Sequence, residues 1–103
     1  MSLSPEQRRA YRAIAHHLKP VVIIGDKGLN EGLQQELDRA LNDHELIKVK
    51  IASPDRDERR ETIEAVCREA GAELVQMIGK NAVILRRAEK PNPKLSNLQR
   101  FKD

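Results

Sequence analysis

Apolar and polar positions alternate along this chain with two different periods, and the changes of period mark its elements. Tyr11, Ile14, Ala15 and Leu18 recur at helical spacing, with Arg8, Arg9 and Arg12 off that stripe. Ser4-Pro5-Glu6-Gln7 supplies a start: a serine cap, proline at the first helical position, and Gln7 where a capping box places Glu or Gln. The helix stops before Lys19-Pro20, because the residue ahead of a proline disfavours the helical region. Val21, Val22, Ile23 and Ile24 form an unbroken apolar run, too short for a helix. They predict a central strand buried on both faces.

Leu33, Leu37, Ala40 and Leu41 mark a second amphipathic helix over 30–43. From Glu45 to Ala52 the period drops to two. Ile47, Val49 and Ile51 take one face, and Leu46, Lys48 and Lys50 the other. Ser53-Pro54-Asp55 starts a third helix by the same cap-then-proline logic, with Ile63, Val66, Cys67 and Ala70 as its stripe and Gly71 as its stop. Residues 73–78 and 82–87 are two strands joined through Gly79-Lys80-Asn81 as a tight hairpin.

The predicted order is α-β-α-β-α-β-β, an α/β chain with a four-stranded mixed sheet and three helices. Crossovers through helices place the second and third helices on one face of the sheet. The pattern does not place the first helix, though the apolar run at 21–24 points to cover on the second face. From Ala88 the sequence AEKPNPKLSNLQRFKD has no period and reads as a mobile tail. The division expected is a domain over 1–87 and a flexible basic tail over 88–103.

Charge sharpens the picture. The 103 residues carry a net charge of +3, but residues 1–85 hold 13 basic against 14 acidic side chains, and 86–103 hold 6 against 2. The basic character therefore lies in the tail, and a nucleic-acid reading depends on where the body's cations cluster. With Tyr11 and Phe101 as the only aromatics, the core must be aliphatic. The single Cys67 excludes an internal disulfide and sits on a core stripe. No apolar run approaches a membrane span. These features point to a soluble, cytoplasmic protein.

Little in the sequence favours an enzyme. His16, His17 and His44 lack metal-ligand spacing with a cysteine or another histidine, and no nucleophile has a partner. The acids of the third helix alternate with Arg56, Arg59, Arg60 and Arg68, as on a solvated face. The candidate chemistry is the stretch PVVIIGDKGLNEG, Pro20 to Gly32. Strand, glycine-bracketed loop and helix start can cradle a phosphate on backbone N–H groups, with Lys27 at the loop tip. A strand-to-helix turn that needs glycine would look the same. The loop lacks the Gly-Lys-Ser/Thr ending of a Walker A motif. Lys19, Lys48, Lys50, Lys80 and Arg86 could join it in one patch if their strands are neighbours.

PVVIIGDKGLNEG, then HELIKVKI from His44 to Ile51, then Gly79-Lys80 with Arg86 beyond, resembles the YhbY family over about residues 3–87. These are single-domain proteins of the CRM type, named for chloroplast RNA splicing and ribosome maturation. The resemblance implies a two-layer α+β sandwich similar to the C-terminal domain of translation initiation factor 3. It also implies RNA binding through the loop Gly25, Asp26, Lys27, Gly28, and association with rRNA in precursors of the large ribosomal subunit. Members often carry an asparagine between the glycines where this chain has Asp26-Lys27. With so few aromatics, recognition by shape and phosphate contact is expected instead of base stacking. The expected site is Gly25, Asp26, Lys27, Gly28, Lys19, Lys48, Lys50, Lys80 and Arg86, in a monomer without cofactor or metal and with neither DNA nor membrane as partner. The alternative is a protein–protein adaptor docking on an assembly factor or ribosomal protein through the charged third helix.

Overall fold

The computed structural model describes residues 3–25 and 30–100. Helix α1 (Pro5–Ala15) opens with the capping box in full: the Gln7 N–H donates to Ser4 Oγ at 3.0 Å, and the Ser4 N–H to Gln7 Oε1 at 3.0 Å. Strand β1 (Pro20–Ile24) leads toward α2 (Glu31–His44), whose cap Asn30 accepts the Leu33 N–H. Then come β2 (Leu46–Ile51), α3 (Arg56–Ala70), β3 (Glu73–Ile78) and β4 (Asn81–Leu85). The cap of α3 is Asp55, not Ser53: its carboxylate accepts the Glu58 N–H at 3.2 Å. Ser53 lies buried ahead of the helix, and its Oγ donates to Glu58 Oε2 at 2.8 Å.

The strands form one mixed sheet in the order β1-β2-β4-β3. β1 pairs parallel with β2, and β4 runs antiparallel between β2 and β3. The hairpin turns through Gly79-Lys80, with Gly79 at φ +57°, where a two-residue turn of this kind needs glycine first. The α2 and α3 stripes meet on one sheet face, where Leu37, Leu41, Ile63 and Val66 pack against Val22, Ile24, Ile47, Val49, Ile51 and Ile84. Burial here removes apolar area from water and supplies the main stabilising term.

The second face is half covered. Tyr11, Ile14 and Ala15 of α1 pack with Leu46, Val75, Val83 and Leu85, joined by Leu98 of a fourth helix, α4 (Asn97–Arg100). That cover stops short of β1. Val21 is 49% exposed and Ile23 65% exposed, so β1 is an edge strand with one open face, against the expectation of a central strand buried on both sides. The reason lies in the topology: β1 pairs with β2 alone, and the central places go to β2 and β4.

The chain beyond Arg87 also differs from the expected tail. It carries α4, and Ser96 and Asn97 are buried. Ser96 Oγ donates to Glu45 Oε1 at 2.6 Å, the Ala88 N–H donates to Glu45 Oε2 at 2.7 Å, and Asn97 Nδ2 donates to the Leu46 carbonyl at 2.6 Å. Glu45 itself is buried, at φ 62° and ψ −51°, between α2 and β2. A non-glycine residue held there costs on the order of 1–3 kcal/mol, offset by the bonds its carboxylate receives.

Candidate nucleic-acid interface

The C-terminal ends of β1 and β2 and the tip of the β3–β4 hairpin lie together. The Ala52 N–H donates to the Ile24 carbonyl at 2.8 Å, and the Ile51 N–H to the Lys80 carbonyl at 2.7 Å. Gly25 leaves β1 at this end and Asn30 begins α2 after it. Asp26, Lys27 and Gly28 lie outside the described residues. Asn30 takes up the N–H of Leu33, so a helix start of this kind still presents its earlier N–H groups, here those of Glu31 and Gly32. A Cβ built at Gly25 would meet none of the described residues within 4 Å, and Gly25 is not among the positive-φ residues.

Strand alternation sets the lysines. Lys48 and Lys50 sit on the half-covered face, about 7 Å apart along β2. Leu46 lies fully beneath the helices, Lys48 is half-buried and Lys50 is exposed, so the strand emerges from cover toward the loop end. Lys50 is in register with Ile23 on β1 and with Asn81 on β4, and Lys48 with Pro20 and Val83. Lys80 is exposed at the hairpin tip, and Lys19 is exposed just ahead of β1. So Gly25, Lys50 and Lys80 gather at one end of the sheet, and Lys19 and Lys48 follow along β2 toward the other.

Arg86 does not join them. It follows β4 at the opposite end, where Leu85 pairs with Leu46. Its guanidinium donates to Asp38 Oδ1 at 2.9 Å, the Ala70 carbonyl at 2.8 Å, the Asp38 carbonyl at 3.1 Å and Asn42 Oδ1 at 3.1 Å. That set ties β4 to the ends of α2 and α3. Arg8 does the same for α1 and β3, donating to the carbonyls of Leu74 and Val75. Arg59 joins α3 to the hairpin through the Gly79 carbonyl and to the β2–α3 connection through those of Ser53 and Pro54.

Two cations that the sequence did not single out reach the open face. Arg12 lines a hollow with Lys48, Ile78 and Asn81, and Arg100 lines one with Lys19 and Lys48. Arg12 was legible as a position off the α1 stripe, but Arg100 had no signal, because its place depends on how the tail docks. Cys67 is a core residue, its thiol pushed up to about 11 by burial and then by Glu64. Among the described residues no cluster of His, Cys, Asp and Glu is placed to hold a metal, and no helix is long and apolar enough to cross a membrane.

The class is thus an α/β domain with a mixed four-stranded sheet, one face packed by helices and the other half open and lysine-bearing. More particularly, the chain belongs to the CRS1/YhbY (CRM) domain family, whose model matches residues 3–86. It is 52% identical to a probable RNA-binding protein of Pseudomonas aeruginosa, over 98% of this chain and 97% of that one. It is 47% identical to an RNA-binding protein of Haemophilus influenzae, over 85% and 89% of the two chains. Its fold matches the solution structure of a hypothetical Staphylococcus aureus protein proposed to bind RNA. The TM-score there is 0.76 and the identity 35%, over 86% of this chain and 93% of that one.

Proposed function

We propose that this protein binds structured RNA without catalysing a reaction, and that it does so on precursors of the large ribosomal subunit in the cytoplasm. The observation that carries the reading is the lysine line Lys80, Lys50, Lys48 and Lys19, on the open half of a sheet whose loop end holds Gly25. Four relatives, including those from P. aeruginosa and H. influenzae, bear RNA-binding names, which supports the ligand class. In this reading the backbone N–H groups of the glycine loop and of the α2 start hold one phosphate, and Lys27 neutralises it. The lysines of β2 and the hairpin take neighbouring phosphates. Aliphatic Val21, Ile23 and Ile78 stand where an aromatic platform would be needed for stacking, so contact by shape and phosphate is favoured.

The test is sedimentation of the tagged protein through sucrose gradients at low and high salt, with rRNA processing assayed in each fraction. Migration with immature large-subunit particles at low salt, lost at high salt and lost in Lys27→Glu, is the expected result. Migration as free protein at both salts would remove the ribosomal assignment. Equal RNA affinity for Lys27→Glu and the parent chain at fixed salt would remove the loop from the mechanism.

A further inference from the structure

The family match ends at residue 86, yet the chain that follows is built into the fold. Three bonds converge on the α2–β2 junction: Ser96 and the Ala88 backbone on the Glu45 carboxylate, and Asn97 on the Leu46 carbonyl. A fourth comes from His44, whose Nδ1–H donates to the Leu95 carbonyl at 2.9 Å. Leu98 packs into the same apolar cluster as Leu46 and Leu18. These contacts carry α4 to the rim of the open sheet face. There a hollow of about 210 Å³ has Lys19, Val21, Lys48, Arg100, His17 and His44 among its lining residues. None of the described residues lining it is acidic.

We infer that the docked C-terminal segment completes a second anion-binding groove, in which Arg100, Lys19 and Lys48 hold a phosphodiester of the same RNA. This rests on the RNA-binding reading and adds a wall to it. The loop end of the sheet and this groove are joined by Lys48 and Lys50 on one strand, so a single RNA backbone can run along β2 from one to the other. The charges of Lys19, Lys48 and Arg100 around one hollow favour a polyanion. Glu45 acts at one remove. Its carboxylate is buried and bonded to the Ala88 N–H and Ser96 Oγ, and so positions α4. Tail charge alone would act anywhere on the tail; the groove requires it at Arg100.

The experiment measures binding of the full chain to a fluorescein-labelled RNA hairpin with single-stranded flanks, by anisotropy across a salt series. Arg100→Ala and Lys48→Ala are each expected to weaken binding on the order of fivefold to tenfold at 0.1 M salt, and to lower the salt slope by about 0.9. Lys94→Ala removes the same charge from the tail outside the groove and should change neither. Ser96→Ala removes no charge, yet should weaken binding in the same direction as Arg100→Ala by loosening α4, with the melting profile confirming that the domain remains folded. Parent-like binding by Arg100→Ala would overturn the groove while leaving the RNA-binding reading in place. So would a loss in Lys94→Ala equal to that in Arg100→Ala. Failure of the parent chain itself to bind the hairpin at any salt would overturn both.

Discussion

Arginine and lysine have different tasks in this protein, and the difference follows from their head groups. Arg8, Arg59 and Arg86 direct planar, multi-donor guanidinium groups at carbonyls of neighbouring elements, whereas Lys19, Lys50 and Lys80 stand exposed as compact charges. Arg86→Gln is therefore expected to lower the unfolding free energy by about 2–3 kcal/mol in a urea titration, since hydrogen bonds to a charged group are lost and the Ala70 and Asp38 carbonyls lose their donor. RNA affinity measured on the folded variant should stay close to that of the parent; an RNA defect at unchanged stability would restore Arg86 to the binding site. Cys67 offers a second check. Its thiol is raised from 9.0 to about 11 in the fold, so the folded state keeps its proton where the unfolded chain has lost it. Stability from this group is complete below 9.0 and falls as pH rises toward about 11, a slope that Cys67→Ala should abolish. Rapid alkylation of the native thiol at pH 8, matching the urea-unfolded chain, would contradict its placement in the core.

At the scale of elements, the periodic stretches were legible and the exceptions have physical causes. The α3 stripe Ile63, Val66, Cys67 and Ala70 is buried as its spacing requires, and β2 divides its side chains between faces as its alternation does. Gly71 closes α3 at φ +67°, so Gly71→Ala should destabilise the fold by about 1–2 kcal/mol, read as a lower melting midpoint. An unchanged midpoint would mean that the chain can leave α3 by another route. By contrast, the run Val21 to Ile24 misled, because an apolar strand looks the same at the edge of a sheet as at its centre; only strand order separates the two, and β1 pairs with β2 alone. The α3 cap moved from Ser53 to Asp55 because the Ser53 hydroxyl is drawn to Glu58, a contact set by three-dimensional packing. The tail gave no signal at all. Its docking rests on polar bonds to a buried Glu45, and neither a buried acid nor a left-handed backbone at a glutamate leaves a pattern in the sequence.

For the whole molecule, the relevant asymmetry is between the two faces of one sheet. The face under α2 and α3 is closed and aliphatic; the other emerges from beneath α1 and α4 into a surface carrying Lys48, Lys50 and the hairpin Lys80. Alternation in β2 revealed that the two lysines share a face, and the pattern placed β1 and the start of α2 on either side of residues 26–29. The gathering of charges was harder to read, since Arg86 sits near Lys80 in sequence but at the far end of the sheet, while Arg100 is distant in sequence and arrives beside Lys48. In the proposed reading such a surface binds by displacing counterions from phosphates, and its affinity is then expected to follow salt. With about four to six phosphate contacts, affinity should fall on the order of 10²–10³ between about 50 and 200 mM salt, as a straight line of log affinity against log salt. Lys50→Ala and Lys80→Ala should each lower that slope by about one contact, whereas Arg86→Gln, which removes a fold-holding cation, should leave it unchanged. A slope near zero in the parent chain would mean that RNA is held by contacts other than phosphate neutralisation, and the exposed aliphatic edge at Val21 and Ile23 would then be the place to search for them.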